Sequence, residues 1–585
     1  MKQLRPVDAV IIGGGWTGLL MAKEIASRTG LSVLVLERGR RGSAEYQEDM
    51  DELDWGIRLQ HQMMQDPASE TVTVRHSLTD RALPIRRMGD YLKLGNGVGG
   101  SGEHWGGVSF RYLPDVFKIF SQTVERYGKK RLPEDHAIRD WALTYDELEP
   151  FYTRAERLMG VSGKAGNIHG QPVEGGNIFE GLRSEEYPTP PLKLPYFGSM
   201  FRDAAKSLGY HPFPTPAANL SQRYTNPDGV TRGPCAFCGY CEGFACMMGA
   251  KAQPTNTLLP VLNRLKNFKL KISSWVRRIQ VKHGRAVGVQ YVDDKREEYF
   301  QPAGLVILAT YTPNNNRLLM LSGIGQPYDP KTGKGTLGSN FTHQVHSQTT
   351  VFFDKPINGF MGSSGSGITI SDFDGDVLDH SELPFLRGGP MRARCGGWLP
   401  IGRFGTLPGR VKARWGSEWK KESIYYFNRV ARFSFGGEHL AYKGNYMDLD
   451  PVYKDKNGDP LLRITIDWRE NERRMVEYVT KKAVEIGRAM GAKEIKTSPG
   501  LNRYDPTNSG QGDHVQGGTL MGASPADSVV NVYGQHWQAP NLFVVGSSVY
   551  PQSAAPNPTL TILALAYHTA DAVVDRYLKR PGILA

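Results

Sequence analysis

The sequence predicts an α/β protein in which a Rossmann-like dinucleotide-binding domain carries an antiparallel-sheet domain over it. Three observations predict this. A strand, glycine turn, helix and second strand open the chain, and glycine-rich turns return near its end. Between them, 345–470 alternates in the manner of short antiparallel strands.

The opening unit is "VDAVIIGGGWTGLLMAKEIASRTGLSVLVLERG". Val7–Ile12 has the pattern of a short buried strand, 17–27 has helical spacing, and 32–36 is a second strand ending at Glu37. Gly13, Gly15 and Gly18 complete G-x-G-x-x-G between strand and helix. They allow the tight turn, the approach of backbone N–H groups to a pyrophosphate and close helix–strand packing. Glu37 stands where an acid accepts from a ribose, which disfavours a 2′-phosphate and leaves FAD or NAD. "GNGVGGSGEHWGG" at 95–107 lets backbone wrap a flat ligand and carries His104 and Trp105. "LTYDELEPFYTRAERLMGV" reads as a helix capped by Thr144 or Asp146. A buried strand follows at 304–310, and "SIYYFNRVARFSF" at 423–435 typifies the antiparallel region. Near the end, "DHVQGGTLMG" precedes the strand "NLFVVGSS" and a helix entered through Pro558.

With 585 residues, 39% of them hydrophobic, the chain can bury a large core, and its length suggests roughly two to four domains. The net charge of +12 would suit nucleic acid, an acidic surface or an anionic substrate. No zinc-finger spacing, RNA-binding aromatic motif or continuous basic helix supports nucleic acid. The densest basic stretch holds Arg387, Arg392, Arg394, Arg403, Arg410, Lys412, Arg414, Lys420 and Lys421 against Glu418 alone. It reads either as a solvated face or as a wall that attracts an acidic substrate or docks a partner. No apolar run is long enough to span a bilayer. The start, "MKQLRPVDAVIIGGG", is not a signal peptide, and by itself predicts a cytoplasmic protein.

Taken together these motifs resemble the glucose–methanol–choline (GMC) oxidoreductases, which bind FAD. The resemblance rests on Gly13, Gly15 and Gly18 with Glu37, on Gly99–Gly100 leading to His104–Trp105, and on "SGIG" at 322–325. It continues through "LGSNFTH" at 337–343, where Thr342 replaces the family's usual Asp, then "GGTLMG", "FVVGSS" with Gly546 and Ser547, and "NPTLT". It implies the GMC, p-hydroxybenzoate hydroxylase-like fold. The FAD domain would comprise 1–110, 216–340 and 505–585, and the substrate domain 111–215 and 341–504. The family's catalytic pair carries over to His514 and Asn557: an imidazole takes the hydroxyl proton as hydride leaves carbon, and the amide orients the same oxygen. Asn557, Pro558 and Thr559 would also meet the cofactor, the following helix facing the reduced, anionic flavin. "GGSGEHW" is similar to the subgroup in which a His before Trp bonds the flavin covalently, which implies attachment through His104.

Cys235, Cys238, Cys241 and Cys246 follow C-x2-C-x2-C-x4-C, which resembles clustered iron–sulfur ligands more than paired zinc knuckles; the short loops make disulfide geometry difficult. The pattern is similar to the large subunits of membrane-linked gluconate, fructose, sorbitol and FAD-dependent glucose dehydrogenases. There the cluster is 3Fe–4S and needs only three thiolates, which leaves open which three of the cysteines, or all four, hold iron. The resemblance implies oxidation of a sugar acid or sugar alcohol, gluconate foremost, with electrons passing to a multiheme cytochrome c subunit and quinone. It also implies a small subunit carrying the export signal, a periplasmic location and membrane contact only through the partner. Cys395, far from the cluster, reads as a buried small hydrophobe.

Overall fold

The computed structural model describes residues 1–40, 70–85, 94–395, 404–505 and 514–584. Val7–Ile12 and Val33–Leu36 form the predicted strands, and the helix between them runs Trp16–Arg28. The strands lie parallel, with Phe268–Lys271 beyond Val33–Leu36 and the long strand Glu298–Leu308 on the other side of Val7–Ile12. Val7–Ile12 and Val33–Leu36 are buried along almost their whole length, which is why they read as continuous apolar runs instead of alternating. Glu298–Leu308 also pairs in parallel with Leu542–Val544, so the two ends of the chain share one sheet. Arg285–Val292 and Trp275–Lys282 extend it as antiparallel strands. The final helix, Thr559–Asp571, packs between the first helix and Tyr145–Met159. That last helix begins with the predicted cap: Thr144 accepts from the Glu147 N–H while Glu147 reaches back to Thr144, a capping box.

Six antiparallel strands form the second sheet, in the order Glu494–Thr497, Val345–Phe352, Val430–Gly437, Met391–Ala393, Ile368–Ile370 and Phe213–Pro214. The helix Glu470–Ala489 covers it, burying Met475, Val476, Val479, Ala483 and Ile486 at helical spacing. The strand reading of 423–435 holds only for its second half. Gly416–Phe427 is a helix, and Val430–Gly437 is the strand. Ser423 and Tyr426 are the residues the helix buries, a spacing of three that the consecutive aromatics Tyr425, Tyr426 and Phe427 concealed. Thr73–Arg75 pairs with Pro460–Thr465, so a segment assigned to the FAD domain and one assigned to the substrate domain share a sheet.

The basic stretch from 387 to 421 does not behave as one surface. Arg387 is fully buried and bonds Glu438 at 2.8 and 2.9 Å and Asp115 at 2.8 Å, so it serves the core. Arg392 and Arg394 face an internal cavity, while Lys412 and Lys420 are exposed or nearly so; Arg403 lies outside the described residues. Cys395 is fully buried, and burial pushes its thiol up to about 12, as befits a core hydrophobe. No helix among the described residues is long and apolar enough to cross a membrane.

Candidate active site

One cavity of about 950 Å³ runs from the first glycine turn to the face of the six-stranded sheet. At the glycine end, Gly13 has φ +104°, and a Cβ there would stand 2.6 Å from the Ala309 carbonyl oxygen. Gly18 lies behind the wall; a Cβ on it would meet the Gly13 carbonyl oxygen at 1.9 Å, so only glycine lets the helix close on the turn. Gly99 donates to the Gly14 carbonyl at 2.7 Å, clasping the second glycine loop to the first. At Gly15 and Gly100 an added Cβ would meet nothing nearer than 3.8 and 3.5 Å, because both face the cavity. Gly15 caps the first helix without a side-chain bond, leaving backbone amides available to an anion. Glu37 accepts from the Gly14 N–H at 2.9 Å and the Gly39 N–H at 2.8 Å and still lines the cavity. Burial raises its carboxyl against the pull of those two amides. These features fit an adenine dinucleotide laid along the turn.

His104 and Trp105 line the same cavity. The Trp105 indole N–H donates to Ala252 O at 2.7 Å, and its ring meets Trp16 edge-on at 5.8 Å. Directly behind this loop lie the cysteines. Gly243 donates to His104 O at 2.7 Å, and Lys251, with no solvent exposure, joins the two segments. Its ammonium donates to the carbonyls of Glu103 (3.1 Å) and Trp105 (2.7 Å) on one side, and of Cys241 and Phe244 (both 2.7 Å) on the other. Burial lowers its pKa, against the opposing fields of Cys241, Cys246 and Glu103.

The four cysteines are free thiols on one loop. Three sulfurs accept N–H bonds: Cys235 from Phe237 N at 3.4 Å, Cys241 from Asn219 Nδ2 at 3.6 Å and Cys246 from Lys251 N at 3.5 Å. Cys238 is exposed. Burial pushes the Cys235 thiol up to about 11 and raises that of Cys241. Among the described residues no three His, Cys, Asp or Glu side chains are gathered as a metal site, so the expected iron–sulfur cluster is not shown by this structure. Four thiols on one loop are the donor type that a thiolate-held cluster would need.

At the other end of the cavity the predicted pair meets. Asn557 Nδ2 lies 3.4 Å from His514 Nε2. His514 Nδ1 lies 2.5 Å from Gln344 Oε1, a partner the sequence reading missed. Gln344 Nε2 donates to the carbonyls of Ala554 (2.5 Å) and Pro556 (2.8 Å), which turns its oxygen toward the histidine. His514 therefore carries its proton on Nδ1 and presents the Nε2 lone pair to the cavity. Burial pushes its pKa down to about 3, helped by the neighbouring His346, His343 and Arg392. His346, its ring 6.1 Å from that of His514, is pushed down to about 4 by the same burial. Gly546, Ser547, Pro558 and Thr559 complete this wall. The final helix has no side-chain cap and no acid in its first turn, so its N-terminal amides remain open to negative charge. His346 was signalled only by alternation along the strand Val345–Phe352, and Gln344, one residue before that strand, by nothing in the pattern.

Comparisons with known proteins agree with this geometry. The chain is 41% identical to the gluconate 2-dehydrogenase flavoprotein of Pantoea cypripedii, across 100% of this chain and 96% of that protein. It is 26% identical to the fructose dehydrogenase large subunit of Gluconobacter japonicus, across 97% and 98%. In fold it is similar to pyridoxine 4-oxidase of Mesorbium loti, with a TM-score of 0.59 at 16% identity over 98% of this chain and 100% of that one. With family models for GMC oxidoreductase matching 7–346 and 441–566, the chain belongs to the GMC oxidoreductases, FAD-binding enzymes that oxidise CH–OH groups.

Proposed function

We propose that this chain is the flavin-bearing catalytic subunit of a dehydrogenase that oxidises D-gluconate at C2 to 2-keto-D-gluconate. The observation that carries the reading is the gluconate relative's 41% identity along the whole chain. The site at His514 has the chemistry the reaction needs. Bound along the glycine turns, FAD supplies the acceptor for the substrate's hydride. His514 takes the hydroxyl proton at Nε2, held to that task by the Gln344 oxygen on Nδ1. Asn557 donates to the same hydroxyl oxygen and orients it beside the base. The open N-terminus of the final helix faces the negative charge that develops as the reaction proceeds. His104, placed on the cavity wall, is the residue for covalent attachment.

An iron–sulfur cluster of the 3Fe–4S type would give electrons an exit one at a time. Cys235, Cys241 and Cys246, whose sulfurs already accept N–H bonds, are its ligands, and Cys238 is the bystander. The electron partner is a multiheme cytochrome c subunit. A small subunit carries the export signal to the periplasmic side. The name of the fructose dehydrogenase relative, a large subunit, supports an assembly of several chains.

The test is an anaerobic panel of D-gluconate, keto-gluconate, fructose, sorbitol and glucose, read by flavin absorbance, with iron and sulfide measured on the same sample. Bleaching by gluconate ahead of the neutral sugars is expected. Bleaching by none removes the dehydrogenase reading, and zinc in place of iron removes the cluster.

A further inference from the structure

The face of the six-stranded sheet that closes the cavity holds a charge arrangement that neither the general base nor the cofactor cradle uses. Arg392 stands opposite Ser434 on the neighbouring strand, and Ser434 in turn opposite Gln348 on the next. Strand alternation therefore brings Arg392, Ser434 and Gln348 to the same face, with His346 two residues before Gln348. All four line the cavity, whereas Met391, Ala393, Phe433 and Phe435 point into the core.

Three arginines border this face, and their partners differ. Arg432 donates to Gln348 Oε1 at 2.9 Å, and Arg394 is ion-paired with Glu242 of the cysteine loop. Arg392 Nη1 is buried and has no hydrogen-bond partner among the described residues. Burial pushes the Arg392 pKa down to about 10, with no carboxylate to oppose it. Arg392 is half-buried, with Nη1 sealed from solvent and no counter-charge among the described residues; that arrangement is unfavourable, and the planar fork is shaped for a carboxylate. Arg392 lines the same cavity as His514 and shares its sheet face with His346, whose ring lies 6.1 Å from that of His514, so a carboxylate held by Arg392 sits in the cavity of the general base.

We propose that Arg392 is the specificity-determining anchor for the substrate's carboxylate, making this cavity a site for 2-hydroxy polyhydroxy acids. The assignment rests on the proposed oxidation of gluconate and adds its regiochemistry. Holding C1 at Arg392 presents the adjacent C2 hydroxyl to His514 Nε2, while the remaining hydroxyls extend along the polar face. A neutral polyol can occupy the same cavity but leaves Arg392 uncompensated, and this difference sets the preference for acids.

The experiment uses the flavin-loaded chain, with R392Q and R392K beside the parent, and D-gluconate against D-glucitol as its neutral counterpart. R392Q is expected to lower the ratio of kcat/KM for gluconate over glucitol by about 100-fold, mostly through KM. R392K should restore part of it, since a point charge replaces the fork. Flavin content and thermal midpoint should match the parent in both variants. An unchanged ratio in R392Q overturns the anchor while leaving the dehydrogenase reading intact, as does turnover of neutral polyols alone by the parent. Release of flavin from R392Q also overturns it, by making Arg392 a cofactor ligand. If no substrate bleaches the parent, the dehydrogenase reading fails, and Arg392 is judged by calorimetry of gluconate binding. Loss of that binding in R392Q then supports the anchor; equal binding, or none to the parent, overturns it.

Discussion

His514 is a neutral base from the moment the chain folds, because its surroundings oppose a second proton. Burial comes first, then His346, His343 and Arg392 facing it, and together they hold its pKa at about 3. A depressed pKa keeps the base form present as pH falls, so this residue should not give an acid limb near pH 6.5. The kcat/KM profile should stay level down to about pH 4.5, and a limb centred near 6.5 that vanishes in His514→Ala would contradict the assignment. His514→Ala itself should lower kcat by about 10²–10⁴ while flavin remains bound. Gln344→Leu keeps the imidazole but frees its tautomer, and should lower kcat about 10-fold or more with KM little changed. The pair His514 and Asn557 was legible because each sits in a glycine- or proline-marked motif. Gln344 was not, because it sits between two strands in no marked motif, and Arg392 was visible only as one of many arginines in a basic stretch until neighbouring strands placed it on a shared face.

Two elements meet at Lys251, and each depends on the other. Its ammonium satisfies carbonyls of both the His104–Trp105 loop and the cysteine loop. Lys251→Met strands those carbonyls in the interior, at about 1–3 kcal/mol for each left unsatisfied. Flavin and iron should then be lost together from the purified protein; loss of one with the other intact would show that the loops are independent. Under the proposed cluster assignment, Cys238→Ser should retain the parent's iron content per chain, whereas serine at Cys235, Cys241 or Cys246 should lower it; a parent without iron would remove the assignment. The glycine turn is less forgiving still. Gly18→Ala places a methyl against the Gly13 carbonyl, and most bound flavin should be lost. That element was fully readable, since strand, turn, helix and acid are contiguous and each has its own spacing rule. The helix Gly416–Phe427 was not, because three aromatics in five residues imitate a strand until burial shows which of them face inward.

Across the whole molecule, the cradle and the base come from segments far apart in sequence, brought together by the long strand Glu298–Leu308. It pairs with Val7–Ile12 on one side and Leu542–Val544 on the other. This joining was only half visible from the sequence, which marked both ends as flavin-binding but could not show that Thr73–Arg75 crosses to the sheet of Pro460–Thr465. The shared strand also sets an order of events in time. At about 5–20 residues per second, the ribosome takes roughly 15–60 s to pass from Val7–Ile12 to Glu298–Leu308, the second of its two neighbouring strands. Another such interval precedes Leu542–Val544, and the final helix comes last of all. The strand before the first glycine turn can gain Val33–Leu36 early, but it waits for its other neighbour through about half of the chain's synthesis. The complete cavity, lined by residues from both ends of the chain, exists only once the last segments have been made.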